Sequence, residues 1–348
     1  PPPPPPPPPT PPLFPSTTLF RSEAALVELL EPMTPDEFDR FAEQQRSVPF
    51  DLDDGPLVRV HMSRTGATQV SVLFALHHIS VDAGTFDVLW RQVVERERSG
   101  HLPDLACSYA EHTDWQRRRD QRAAASYWEG QSSLRVPTAR LGLAPPRPPE
   151  PDGYLSRRLR LAAESLALGR RTPFATSMAA VAIVLSRYTA DEHVAFGITA
   201  STKDHPDAAE LVGYYLNTLP MEFSVGLGDR LEEVVERASA LVTAALPHRT
   251  YPFASIVRDA RQQGFAPPDV SFMLAYEDLA TPVSPRESAR QRILASGSSV
   301  ADVTFFVQER GEGIQIGLEY RGSVISRADA TRMLELFELV LTAVSAET

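Results

Sequence analysis

The sequence carries a single cysteine, Cys107, in 348 residues. That excludes an internal disulfide and any metal cluster built on cysteine thiolates, and it makes a reducing, cytoplasmic compartment the natural one. Positive charge is also scarce, with 34 Lys and Arg against 45 Asp and Glu and a formal net charge of -11. Neither nucleic acid nor an anionic membrane therefore has general electrostatic support as a partner. No uninterrupted apolar run is long enough to cross a bilayer. No G-x-S-x-G elbow appears, so a serine hydrolase is not supported.

What the chain does have is proline, 32 of them, unevenly placed. Residues 1–22, PPPPPPPPPTPPLFPSTTLFRS, show no periodic apolar pattern and neither the basic start nor the apolar stretch of a signal peptide. LFPSTTLFRS looks like a translated sequencing adapter, and the expectation is an artefact joined to a truncated gene, outside fold reasoning. A second break, LGLAPPRPPEPDG at 141–153, holds five prolines in thirteen residues, too many for a regular helix or a central strand. It is read as a linker between a first lobe, 23–140, and a second, 154–348.

Both lobes mix helix and strand. In the first, EAALVELL reads as helical, and PLVRVHMSR and TQVSVLFAL as consecutive strands about a TGA turn. A helix follows from Thr85, with Phe86, Leu89, Trp90, Val93 and Val94 at core spacing. In the second, PFATSMAAVAIVLSRYT reads as a buried helix, HVAFGITAST as a strand and LEEVVERASALVTAAL as an amphipathic helix. VADVTFFVQERGEGIQIGLEYRG alternates about a GEG turn as a hairpin, and Ser326 is placed to cap a last helix.

The chemistry-bearing stretch is VLFALHHISVDAGTF, residues 72–86. Strand alternation sends Val70, Val72, Phe74, Leu76 and His78 to one face and Ser71, Leu73, Ala75 and His77 to the other. The two histidines therefore cannot share one role. His78, where strand turns into helix, can accept or orient a proton, whereas His77 reads as a hydrogen-bonded core residue. A purely structural role for both stays open at this point. Metal binding ranks below either reading, because His-His-x3-Asp lacks the i, i+4 histidine pair of a helical zinc site.

HHISVDA resembles the HHxxxDG motif of condensation domains of nonribosomal peptide synthetases and their relatives among CoA-dependent acyltransferases. Four more stretches follow in the family's order: PFDLDDGPLVRV, YAEHTDWQ with Tyr127 and Trp128 after it, VGYYLNTLPM, and PHRTYPFASIV. The resemblance covers nearly everything after the proline leader. It implies an α/β (α+β) fold of two chloramphenicol acetyltransferase-like lobes in a V-shaped pseudo-dimer, the first lobe incomplete.

The resemblance also implies that His78 is catalytic, with His77, Asp82, Ala83, Gly84 and Lys203 as its support. Asp82 is expected to pair with Lys203, which stands where the family carries an arginine, and Asn217 and Thr218 to line the second lobe's cleft face. No metal is implied, and no cofactor bound directly. The substrates ride on the 4'-phosphopantetheine arms of carrier domains upstream and downstream, beside an adenylation domain, in a monomeric part of a multidomain synthetase. The reaction implied is amide formation between a donor acyl or peptidyl thioester and an acceptor amine.

Departures from the family pattern are Ala83 for a glycine, leaving Gly84 to take any strained conformation, Glu222 for an arginine and Arg249 for a glutamine. The family's first two motifs are absent. Alternatives are a stand-alone CoA- or carrier-dependent acyltransferase forming esters, an epimerisation domain, and a catalytically silent docking module.

Overall fold

The computed structural model describes residues 25–102, 104–132, 145–168, 171–278, 299–310 and 313–347. The proline leader, the first four residues of the 141–153 linker and the Gly311–Glu312 part of the GEG turn lie outside the described residues. Two compact units emerge, one ending at Val81 and the other beginning at Asp82.

The first unit is a small sheet of three strands, β1 (Ala25–Leu29), β2 (Val58–Arg64) and β3 (Val70–Leu76), with helix α1 (Pro35–Gln45) between the first two. Within the stretch EAALVELL, expected as helix, Ala25–Leu29 is instead β1, pairing in parallel with Val58–Met62 of β2. Glu, Ala and Leu are good helix formers, but propensity is a weak prior, and the ladder to a neighbouring strand overrides it here. Strands β2 and β3, expected as consecutive strands about the TGA turn, pair antiparallel with Val58 opposite Leu76. Thr34 caps α1 in a reciprocal capping box with Glu37. In PFDLDD, the Asp51 carboxylate accepts the amides of Asp53 and Asp54, folding the segment back on itself. Next to that turn, Phe50 lies under the Arg59 guanidinium, 4.1 Å from ring centre, and edge-on to His77 at 5.6 Å.

The second unit opens with α2 (Ala83–Ser99), α3 (Tyr109–Arg118) and α4 (Arg122–Ser132). A mixed sheet follows, of β4 (Gly153–Leu159), β5 (His193–Ser201), β6 (Leu216–Ser224), β7 (Phe272–Asp278), β8 (Val303–Arg310) and β9 (Gly313–Tyr320). The strands run in the order β4-β9-β8-β7-β5-β6. Strand β7 pairs in parallel with both β5 and β8, and the remaining pairings are antiparallel. Helices α5 (Pro173–Thr189), α6 (Leu231–Ala245), α7 (Phe253–Gln262) and α8 (Arg327–Glu347) complete the unit.

The core lies where α5 meets the sheet, α6 and α8. Residues Met178–Ala182 of α5 have no exposed surface, and the short side chains of Ala179, Ala180 and Ala182 let neighbouring elements approach closely. The α6 face read from the sequence holds, with Val234, Val235, Ala238, Val242 and Ala245 buried. The β8–β9 hairpin and the Ser326 cap, which accepts the Asp329 amide, also hold. In α2 the pattern shifts: Val88 is buried, whereas Val93, expected in the core, is exposed.

Candidate active site

The strand carrying the histidines ends at Leu76, and residues His78–Ser80 form one turn of 3₁₀ helix. Within that turn the two rings hold opposite tautomers. The Ile79 amide donates to His77 Nδ1 at 3.2 Å, so the proton of the His77 ring sits on Nε2. Half-buried, His77 has its pKa lowered by that burial and further by the neighbouring His78. At His78 the partner is a carbonyl: Nδ1 lies 2.7 Å from Val81 O. A carbonyl offers no proton, so Nδ1 carries it, and in the neutral ring the lone pair resides on Nε2 of an exposed side chain. Both histidines lie beyond the end of β3, so strand alternation does not reach them, and it is the turn that gives the two rings different partners.

Asp82 begins the second unit as the N-cap of α2. The helix starts at Ala83, two residues before the expected Thr85. Thr85 is instead the third helical residue, its amide donating to Asp82 Oδ1 at 2.8 Å. The other carboxylate oxygen accepts the Tyr215 amide at 2.8 Å, and the Asp82 amide donates to Gly213 O at 3.2 Å. The carboxylate, 5% exposed, is thus satisfied by two backbone amides, a charge-assisted arrangement that ties the start of α2 to the 213–215 backbone. Ala83 and Gly84 both lie in ordinary helical conformation, and neither has the positive φ that a glycine would be needed for. The methyl of Ala83 therefore costs nothing here.

The expected Asp82–Lys203 ion pair is not formed. The Lys203 ammonium donates to the carbonyls of Ala209 and Leu211 at 2.9 and 2.8 Å and lies 5.4 Å from the Tyr215 ring centre. Burial pulls its pKa below the usual lysine range, and the Asp82 and Glu210 charges oppose that pull. Lysine, a point charge with three separate donors, suits two carbonyls and a ring face, whereas an arginine fork suits a carboxylate. The lysine therefore closes the 203–211 loop, and the two charges interact only through space.

Asn217, expected to offer a donor at a cleft, spends its side chain on the backbone. Its Nδ2 donates to the carbonyls of Arg249 and Tyr251 at 2.8 and 2.7 Å, and its Oδ1 accepts the Phe253 amide at 3.1 Å. It fastens β6 to the turn that starts α7. Thr218 is half-buried in β6, opposite Thr199 of β5. Arg249 binds Ser201 O through Nε and Leu246 O through Nη1.

The condensation domain family model matches residues 25–348. The chain belongs to the condensation domain family. Among curated relatives it is 25% identical over 325 residues to surfactin synthase subunit 1 of Bacillus subtilis (strain 168), covering 86% of this chain and 9% of that relative. It is 24% identical over 316 residues to tyrocidine synthase 2 of Brevibacillus parabrevis, again covering 86% of this chain and 9% of the relative. The chain thus spans under a tenth of each of these two synthases. In fold it is similar to the condensation domain of a monacolin K polyketide synthase, with a TM-score of 0.78 at 17% identity over 92% of this chain and 80% of that one. The mixed α/β architecture expected from the sequence is that of the solved condensation domains.

In this condensation domain the motif residues fall into separate groups. His77 and His78 belong to the turn after β3; Asp82 and Lys203 both address the 203–215 segment, one through amides and the other through carbonyls. The sequence reading missed Thr85, Gly213 and Tyr215 as members of this group. A signal was available for the first, since Asp-x-x-Thr before an apolar run is a cap pattern. For Gly213 the reason is steric: a Cβ there would lie 2.5 Å from two ring carbons of Tyr109.

Proposed function

We propose that this condensation domain joins an acyl or peptidyl group, held as a thioester on an upstream carrier domain, to the amine of an amino acid held on a downstream one. The observation that supports it most directly is the His78 tautomer, with the proton committed to Val81 O and the lone pair on Nε2. The acceptor amine attacks the thioester carbonyl. A C–N bond forms as the C–S bond breaks, the amine proton passes to His78 Nε2, and the departing thiolate takes it up. Such general-base assistance contributes about 10²–10⁴ in rate, and holding both tethered reactants together contributes up to about 7–11 kcal/mol.

The carriers' phosphopantetheine arms are the substrate handles, and an adenylation domain supplies the acceptor amino acid as a thioester. The partners are neighbouring domains of a synthetase, as the small share of each relative spanned suggests. The same reading keeps 23–140 and 154–348 as the two acyltransferase-like lobes. Cytoplasmic location accords with a lone cysteine, and no helix among the described residues is long and apolar enough to cross a membrane.

The test is to mix the protein with a loaded donor carrier and a loaded acceptor carrier and to measure the mass of the acceptor. Amide formation predicts an acceptor heavier by the donor acyl group, with the new linkage surviving mild base after the thioester is cleaved. A base-labile linkage on a hydroxyl acceptor identifies the ester-forming alternative, and an unchanged acceptor contradicts the proposal.

A further inference from the structure

The peptide group joining Val81 to Asp82 is engaged on both sides. Its carbonyl accepts His78 Nδ1 at 2.7 Å, and its N–H points to two acceptors, Thr85 Oγ1 at 3.1 Å and Gly213 O at 3.2 Å. Thr85 Oγ1 is in turn 2.7 Å from Gly213 O, shorter than its 3.2 Å approach to Asp82 O, so its one proton goes to Gly213. The Thr85 residue is 1% exposed. Its hydroxyl therefore accepts from the amide and donates to the carbonyl that shares that amide.

We infer that Thr85 is a positioning residue for His78, acting through the Gly213 carbonyl and the Val81–Asp82 peptide group. The hydroxyl completes the capping box of α2, in which the Asp82 carboxylate satisfies the Thr85 amide and the hydroxyl accepts the Asp82 amide, but the cap leaves the hydroxyl proton unused, and that proton goes to Gly213 O. What the hydroxyl adds is a fixed orientation of one peptide plane. Donation by an amide N–H polarises the carbonyl of the same peptide and strengthens it as an acceptor. The acceptor strengthened here is the one that holds the proton on His78 Nδ1.

This inference rests on the reading of His78 as the proton acceptor in amide formation. Its test is nevertheless separate, because the tautomer of a histidine ring is read from its ¹⁵N chemical shifts without any substrate. In the whole protein with labelled histidine, His78 is expected to show an Nδ1–H ring and His77 an Nε2–H ring. Thr85→Val, which keeps the shape and removes the hydroxyl, is expected to shift His78 toward the Nε2–H form and to lower kcat about tenfold at unchanged KM. Thr85→Ser is expected to restore both. If Thr85→Val does not fold, Thr85→Ala, which brings no second methyl toward the Gly213 carbonyl, is read in the same way. A hydroxyl-free variant with wild-type His78 shifts and wild-type kcat, whatever its melting temperature, would overturn the inference and leave Thr85 a helix-start residue only. Loss of activity with unshifted His78 resonances would overturn it equally.

Discussion

Single residues set the chemistry through which ring nitrogen they protonate. His77 and His78 are adjacent, yet one accepts from an amide and the other donates to a carbonyl, a difference set by the turn that follows β3 rather than by strand alternation, which ends at Leu76. The partner of Asp82 was not foreshadowed: a Tyr215 amide 133 positions away leaves no local mark on the sequence. The same holds for the Lys203 carbonyls, which displaced the expected ion pair. A third histidine, His112, is 1% exposed and its Nε2 has no hydrogen-bond partner among the described residues. Burial lowers its pKa from 6.5; Asp204 opposes that, and His205 and Lys203 add to it.

The folded state therefore resists a proton that the unfolded chain takes up near pH 6.5, so stability falls as pH drops through that value and levels off below the folded-state pKa. His77 contributes in the same direction. Melting temperature is expected to fall between about pH 7.5 and pH 5, and more gently in His112→Phe, which cannot titrate. Parallel pH profiles for the two proteins would contradict this.

Elements follow the sequence where one face is buried locally and depart from it where a distant partner decides. Helices α5 and α6 and strands β2, β3, β8 and β9 lie where their periodicity puts them. β1 does not, because its conformation is set by pairing with a distant strand, Ala25 against Val58 of β2. The start of α2 moved for a similar reason: Asp82 and Thr85 are both good caps in isolation, and the 213–215 backbone selects Asp82. Asn217 shows the same dependence in β6, where it satisfies two carbonyls and one amide of the 249–253 turn. Asn217→Ala leaves all three without that partner and is expected to cost about 1–3 kcal/mol. An unchanged urea midpoint would show that water replaces the side chain at no cost.

At the scale of the molecule, the order of the six-stranded sheet was not legible, because β4 pairs with β9 from far along the chain and β7 inserts between β5 and β8. The family, in contrast, was legible from five short motifs, because several of them fix a backbone geometry as well as a side chain: the turn after β3, the Gly213 approach to Tyr109, the Asn217 clamp. The central claim concerns one histidine whose lone pair resides on Nε2. The most direct measurement is single-turnover amide formation between loaded donor and acceptor carriers, wild type against His78→Ala, with melting temperature recorded for both. The expected result is a rate lower by about 10²–10⁴ in the variant at an unchanged melting temperature. Near-wild-type turnover by His78→Ala would contradict the account and reduce His78 to a residue of the turn.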